Sequence, residues 1–581
     1  MFALFTSILR STSYSIDSEN FHSAPLNGED FSLSLVQPAD TLKSGHTVFN
    51  RRGFFKSLAG ALVAPICAPL RSQAAVIARL PYVQNVGLDR AVLAWTTEQP
   101  GQGAVWLASN GSPARRVTSS VKELLPPDTD LDSPSYRHTA ELTGLAPNTE
   151  YFYQVIADDQ TLPGSGFHFR TAGSGPFSFL AFGDSGSGLP QQQMLAEWMK
   201  KENPALVLHL GDLAYPQGAF LEYQHHYFDV YRDLMKQVPF FPCAGNHGYM
   251  TRDGFPYLTL HDVPAVDSAP LAERGRYYSF DWGNAHFAAV DSNAPLMQAA
   301  QGRGYMLEWL EHDLSVSRQY WKIVYFHHPP FAGGPNETDP LSELARKYLV
   351  PIVERHGVQL VLNGHEHSYQ RSHPLRNRQI VSEGEGTVYV TSGGGGVGLY
   401  PVHPNPVVAV GQSAHHYLRV EVNETHLAVR TIGLYGERID GVNLAPLPEI
   451  GDVEINPATE IASSRLVNIC GRNLAPALRS AAGAVFPLEL AGISLTANGE
   501  PLHIRQVSPV HIEAEISANL SGGVAVKLNT PNGSCQATLS LSGDGSGPHP
   551  RRRTMDQIEE MRSIASRRAR IAAELRKMGL P

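Results

Sequence analysis

Thiols are scarce in this chain. Four cysteines in 581 residues leave little for a thiolate-type metal site, and only Cys470 and Cys535 are left as a pair that could bridge in an oxidising compartment. Cys67 falls in the N-terminal segment described below, and Cys243 reads as a small buried apolar residue. Long apolar runs are missing too: none reaches the length of a membrane-spanning helix, so no transmembrane segment is expected. Charge of one sign is not in excess. A formal net charge of −9 over this length is mild and argues against nucleic acid as the main partner. With 42% hydrophobic and 17% charged residues, 52 Gly and 42 Pro, the bulk of the chain is globular and rich in strands and turns. It is too long for one core, and about three domains are expected.

One segment has the form of an address. "NRRGFFKSLAGALVAPICAPLRSQAA" (50–75) sets Arg51 and Arg52 ahead of a short apolar stretch, with small residues at Ser72 and Ala74 before Ala75. It resembles a twin-arginine export signal, and implies a protein carried folded to the periplasm or the extracellular space. Residues 1–47 are polar and patternless and lie upstream of where such a signal should begin, as an over-long start or a disordered leader would; 1–75 is assigned to leader and signal.

Residues 76–172 alternate as strands do, in "RAVLAWTTE" (90–98), "GAVWLAS" (103–109) and "RHTAELTGL" (137–145). The turn in "GLAPNTEYFYQV", with Trp95 as a core aromatic, resembles a fibronectin type III β-sandwich. From 173 to 440 the rhythm becomes strand, loop, helix: "FSFLAFGD", then the one-sided helix "QQQMLAEWMKKE", then "ALVLHLGD", "HFAAVDSN", "KIVYFHHPP" and "VQLVLNGHEH". That order implies an α/β layered domain with ligands beyond the carboxyl ends of its strands. A Pro-rich connector (445–457) leads into renewed β alternation. The module, placed at 450–542, resembles a small immunoglobulin-like (TIG-type) β-sandwich. A linker and a charged amphipathic helix fill 543–581; Thr554 and Gln557 cap the helix, which reads as a solvated amphipathic helix, with docking to a partner or to an acidic surface through Arg567, Arg568 and Arg570 as the alternative.

The chemistry gathers where the α/β strands end, in "GDSG" (183–186), "GDLAY" (211–215), "GNH" (245–247), "VYFH" (324–327) and "GHEH" (364–367). Each alone is weak, since a Gly-Asp after a strand is usually a turn. Together, at one edge of the inferred sheet, they offer two carboxylates, a phenol, an amide oxygen and imidazoles. Oxygen donors mixed with imidazole suit Fe, Mn or Zn, and the set exceeds what one cation uses. Two cations sharing a bridging carboxylate would use all of it. His209 reads as a structural histidine and His328 as a wall residue or one that supports a ligand from behind.

GD-x-G, GD-x-x-Y, GNH, V-x-x-H and GH-x-H, in this order, resemble the purple acid phosphatases among the calcineurin-like metallophosphoesterases. The resemblance covers roughly residues 76–436, and implies a four-layer α/β fold for the middle domain. It implies Fe(3+) held by Asp184, Asp212, Tyr215 and His367, and a divalent Fe, Zn or Mn held by Asp212, Asn246, His327 and His365, with Asp212 bridging. Phenolate from Tyr215 would favour the trivalent state and give visible colour. Attack on phosphorus by a metal-bound hydroxide is then expected, with an acid optimum because a trivalent ion acidifies water strongly. His247 is the candidate to hold the phosphate or protonate the leaving oxygen. Phosphate monoesters are the expected substrates. A phosphodiesterase or nucleotidase with the same metals is the alternative, and a non-catalytic surface binding protein a third reading. Two departures bear on specificity. Many purple acid phosphatases carry a further histidine nine or ten residues beyond the V-x-x-H histidine, where this chain has Asn336 and Glu337. Gly248 and Tyr249 follow the GNH in place of an acidic residue.

Overall fold

The computed structural model describes residues 77–541, apart from 130, 159, 162–166, 462, 463 and 484. The export-signal segment and the C-terminal charged helix read from the sequence lie outside the described residues.

Alternation builds the first unit. Along Glu150–Ala157 every second residue is buried, and the same period places Leu93 and Trp95 opposite Val105, Leu107 and Tyr153 in one core. Two antiparallel sheets result. One runs in the order Ile77–Gln84, Arg90–Thr97, Ser135–Thr143, Ser120–Leu124; the other centres on Gly103–Ser109 and Glu150–Ala157. The unit is fastened to the middle domain by side chains that reach backbone: Tyr82 donates to the Leu260 carbonyl at 3.0 Å and Tyr153 to that of Lys236 at 2.8 Å.

In the middle domain the central strands are buried on both faces and largely apolar, as strands covered on both sides must be. Five of them carry the polar clusters: β1 (Phe177–Phe182), β2 (Leu206–His209), β3 (Phe240–Pro242), β4 (Trp321–Tyr325) and β5 (Leu360–Asn363). They belong to two sheets. The first, six-stranded, has β3, β2 and β1 parallel, followed by the antiparallel strands His416–Val422, Leu427–Gly433 and Arg438–Leu444. The second, seven-stranded, holds β4 and β5 parallel to each other and to Val388–Ser392. The expectation that the clusters share one sheet edge is therefore corrected: three lie on one sheet and two on the other.

The two sheets face each other across a common core. Phe179, Ala181, Leu206 and Leu208 pack there with Phe287, Ile323, Tyr325 and Leu362. Residues one step along point outward, Leu180, Phe182 and Val207 onto Leu195, Met199, Tyr231 and Leu234. Val324 and Val361 pack likewise with Leu310, Leu314, Leu349 and Val353. This is a helix, sheet, sheet, helix stack. The first sheet's last strand ends at Leu444, so this layer closes four residues beyond the expected 440.

The expected connector 445–457 is also corrected, because a strand occupies Glu449–Ile461. Pro457 is tolerated because the pairing register shifts between Ile455 and Glu460, where a ladder donor is not required. That strand begins a second pair of sheets sharing one core, in which Val467, Ile469 and Ile512 meet Leu495, Val524 and Val526. Cys470 and Cys535 lie on different sheets of this unit and are both free. Asn532 at a hairpin turn anchors the unit, donating to Tyr320 Oη at 3.0 Å and to the Thr425 carbonyl at 2.7 Å. Among the described residues no helix is long and apolar enough to cross a membrane.

Candidate metal centre

Sharp turns at the strand ends aim the polar side chains inward. Asp184, Asp212 and His365 each have positive φ, at 57°, 51° and 68°. Such a backbone is unfavourable for residues with a Cβ and persists where surrounding contacts hold it. Gly211, at φ 97°, shows how tight the packing is: a Cβ there would stand 2.3 Å from His327 Nδ1.

Asp212 is fully buried and its two oxygens have different tasks. Oδ1 accepts the His247 backbone N–H at 2.9 Å. Oδ2 faces inward, 3.0 Å from Tyr215 Oη, 3.4 Å from His327 Nε2 and 3.9 Å from His247 Nε2. Asp184 is arranged alike, with Oδ2 on the His365 N–H at 2.9 Å and Oδ1 3.1 Å from Tyr215 Oη. His367 Nε2 lies 3.4 Å from the same phenol oxygen and 3.6 Å from Asp184 Oδ1. On the other side Asn246 Oδ1 is 2.9 Å from His327 Nε2 and 3.1 Å from His365 Nδ1. The geometry thus brings together Asp184, Asp212, Tyr215, Asn246, His327, His365 and His367, with Asp212 Oδ2 between two groups of donors.

The histidines are oriented from behind. His327 Nδ1 donates to the Leu210 carbonyl and His367 Nδ1 to the Gly398 carbonyl, both at 2.8 Å. A carbonyl can only accept, so each Nε2 is left with its lone pair pointing into the cluster. His327 then sets a lone pair against the Asn246 amide oxygen and the Asp212 carboxylate. Acceptors facing acceptors are stable only with a cation or a proton between them. His365 Nε2 is buried without a partner. The donor chemistry therefore fits bound cations, and the compact groups Asp184–Asp212–His327 and His327–His328–His365 are spaced to hold a metal ion.

The electrostatics make the same point. Burial pushes Asp184 well above the usual carboxylate range, and Asp212 adds repulsion. Burial also works to raise Asp212, but His327 and His247 hold it well below. Burial lowers His327 while Asp212 and Asp184 raise it, to about 9. His365 is held well below its ordinary value and His367 down at about 4, both by burial first. Burial and then Asp212 push the Tyr215 phenol well above its ordinary value. Buried carboxylates and imidazoles this close are stable together only with positive charge, a proton or a cation, among them.

His247 stands at the rim, its side chain 28% exposed. Nδ1 donates to the Pro216 carbonyl at 2.6 Å and the ring packs on Tyr215 at 4.4 Å between centroids. Nε2 is thereby free to face the cluster. His209 is buried below, with Nε2 2.8 Å from Ser185 Oγ, away from the donors.

Some contributors carry no motif. Tyr400 stacks on His367 with centroids 4.0 Å apart; it arrives from a glycine-rich loop that sequence spacing does not connect to the site. His328 stands directly behind His365: its ring lies 4.5 Å from that of His365, and Nδ1 is 2.8 Å from Ser292 Oγ. Ser292 and Glu366 went unmarked in the sequence, although Glu366 sits inside the GHEH motif.

Residues 177–369 match the model of the calcineurin-like phosphoesterase family. The chain thus carries a metallophosphoesterase domain and is a hydrolase of phosphoric esters. Residues 82–171 match the purple acid phosphatase N-terminal domain, so within that class the chain has the purple acid phosphatase arrangement, the form dependent on two metal ions. An uncharacterized protein of Mycobacterium tuberculosis is 27% identical, the match spanning 55% of this chain and 68% of that protein. Purple acid phosphatase 15 of Arabidopsis thaliana is 25% identical over 45% of this chain and 53% of its own length. A probable inactive purple acid phosphatase 9 of the same plant is 22% identical over 55% and 58%. The chain thus spans little more than half the length of these plant relatives. The structure of a purple acid phosphatase from yellow lupin seeds shares the fold, with a TM-score of 0.55, 18% identity, and coverage of 63% of this chain and 74% of that one.

Proposed function

We propose that the protein is a binuclear acid phosphatase that hydrolyses phosphate monoesters after export by the twin-arginine route. The observation that carries the reading is the convergence on Tyr215 Oη, with Asp212 Oδ2, Asp184 Oδ1 and His367 Nε2 at 3.0, 3.1 and 3.4 Å. A phenol between two buried carboxylates suits a trivalent iron bound by Asp184, Asp212, Tyr215 and His367. Asp212, Asn246, His327 and His365 would hold the divalent partner, Fe, Zn or Mn, on the other side of Asp212 Oδ2. In this reading residues 76–172 are a fibronectin III-like module, 173–440 with its closing strand the catalytic domain, and 450–542 an Ig-like (TIG-type) module.

When bound, the cation pair supplies Lewis acidity toward phosphoryl oxygens and acidifies water. The protein's own residues do the rest. Asp212 fixes the two halves of the site at one spacing, because its Oδ1 is locked by a backbone donor. The Leu210 and Gly398 carbonyls hold His327 and His367 in the tautomer with inward lone pairs. His247, with Nδ1 held by Pro216, presents Nε2 to a phosphate oxygen or to the departing alcohol, and when protonated it donates there.

Elemental analysis with a visible spectrum of the purified chain, alongside turnover of a monoester and a diester, tests the reading. Iron plus one divalent ion per chain, a visible charge-transfer band and preference for the monoester are expected. Preference for the diester would shift the activity to a phosphodiesterase, and absence of metal would favour a binding protein.

A further inference from the structure

The strand Ala285–Ala289 lies parallel to β4, so the turn that follows it emerges at the sheet end that carries His327 and His328. Three successive residues of that turn, Asp291, Ser292 and Asn293, are buried, and none belongs to the donor set. A buried carboxylate persists only where donors surround it, and Asp291 has three. Its Oδ1 accepts the Asn293 backbone N–H and Asn293 Nδ2, both at 2.9 Å; its Oδ2 accepts the Tyr249 hydroxyl. Asn293 Nδ2 also donates to the Ala244 carbonyl at 3.2 Å. Ala244 and Tyr249 bracket Asn246, whose amide oxygen enters the cluster. Ser292 works on the other side: its Oγ accepts the His328 N–H at 3.1 Å and lies 2.8 Å from His328 Nδ1. The His328 ring in turn packs on that of His365. Arg276 closes the assembly from outside. Its Nη1 donates to the Tyr249 hydroxyl oxygen, its Nη2 to the Asp253 carbonyl at 2.9 Å and its Nε to the Ala272 carbonyl at 3.0 Å. None of these bonds ends on Asp184, Tyr215 or His367.

We propose that Asp291, Ser292 and Asn293 form a positioning clamp for one half of the centre: they hold Asn246 and His365 at the spacing a divalent cation needs, and Tyr249 with Arg276 locks the clamp from outside. The proposal rests on the binuclear reading above. Side chains that fix a ligand's orientation from behind contribute about 10- to 100-fold in metal affinity. Asn246 and His365 stand 119 positions apart in the chain, yet both take support from one three-residue turn, so a loosened turn is felt at both. The Arg276 guanidinium, one hydroxyl away from Asp291, balances the buried carboxylate and strengthens the chain of bonds between them. The other half, with Asp184, Tyr215 and His367, has different supports, the Gly398 carbonyl among them. The clamp therefore lets the two halves differ in how firmly each holds its cation.

The test uses the full chain carrying iron, titrated with Zn(2+) alone. Tyr249→Phe keeps the ring and removes the bridge between Arg276 and Asp291; Ser292→Ala removes the bonds to His328. Each should weaken Zn(2+) binding about 10- to 100-fold and leave the iron content and its visible band as in the parent. Turnover lost at limiting Zn(2+) should return when Zn(2+) is in excess, a rescue that a damaged fold would not show. Amide exchange across residues 244–249 in the metal-free chain should quicken in Tyr249→Phe. Parent-like Zn(2+) affinity in both variants, or equal loss of iron and zinc, would overturn the proposal, as would turnover that excess Zn(2+) does not restore. If Ser292→Ala fails to fold, Tyr249→Phe decides alone. A parent chain that takes up no second cation would count against the binuclear reading instead, and the clamp would then stand or fall on the exchange rates of residues 244–249.

Discussion

Tyr215 Oη lies 3.0 Å from Asp212 Oδ2, three positions earlier in the chain. Asp212 leaves β2 in a left-handed turn at φ 51°, and the chain bends back so that carboxylate and phenol converge. In the function proposed above, the contact would make the "GDLAY" spacing a chelating unit. Tyr215→Phe keeps the ring and its packing on His247 but removes the oxygen. The variant is expected to lose visible absorption and to exchange trivalent iron for a divalent ion, with affinity for the trivalent ion lowered by roughly 10- to 100-fold. Visible spectroscopy with elemental analysis checks this, and an unchanged band would show that the phenolate is not bound to iron.

His247 tests the division between holding metals and doing chemistry. Its side chain approaches Asp212 only to 3.9 Å and is anchored to the Pro216 carbonyl. His247→Ala should therefore keep both metals while kcat falls by about 10²- to 10⁴-fold, the range for losing a positioned acid or charge stabiliser. Steady-state kinetics beside metal analysis separate the outcomes. Loss of metal in step with activity would make His247 a ligand.

Much of this was legible in the sequence because both signals are local. Apolar runs on both faces marked β1, β2, β4 and β5 as buried strands, and each polar cluster sits within a few residues of such a run. What spacing could not supply is how strands are shared between sheets. β1 and β5 read alike, yet they lie in different sheets, because the choice depends on long-range packing of Phe179 and Ala181 against Ile323 and Leu362. The same limit hid Tyr400 and Ser292. Tyr400 reaches His367 through a glycine-rich loop, and Ser292 meets His328 from 36 positions earlier in the chain. The strand at Glu449–Ile461 was missed for a local reason: Pro457 signals a break, and only the register shift beside it removes the conflict.

Gly211 gives a prediction that concerns backbone alone. At φ 97°, with His327 Nδ1 2.3 Å from the position of a Cβ, alanine is opposed twice. The left-handed conformation costs about 1–3 kcal/mol, and the His327 ring must move off the Leu210 carbonyl that orients it. Gly211→Ala should thus lower stability by a few kcal/mol at most, yet abolish stoichiometric binding at the divalent site. Thermal unfolding and metal titration read the two effects separately. A variant with normal metal content would mean that His327 does not need that carbonyl.

Remote from the centre, His286 links stability to pH. It is nearly buried on the strand Ala285–Ala289, with Nδ1 2.7 Å from Asp281 Oδ1 on the paired strand and Nε2 2.8 Å from Asp313 Oδ2 on the helix Met306–Val316. Burial disfavours its charge, but the two carboxylates prevail and raise it to about 9 from an unfolded value of 6.5. A pKa raised by folding means that the stabilisation is complete below about pH 6.5 and is lost as pH climbs through 9, on the order of 2–4 kcal/mol in all. Lys322, its register partner, works in the opposite sense: burial lowers it to about 8, so its penalty is relieved as pH rises. The comparison must therefore be a difference between parent and His286→Gln, in which the lysine term largely cancels. The gap in Tm should be widest near pH 6 and close by several degrees toward pH 9.5. A gap independent of pH would show that His286 is held neutral between the two aspartates.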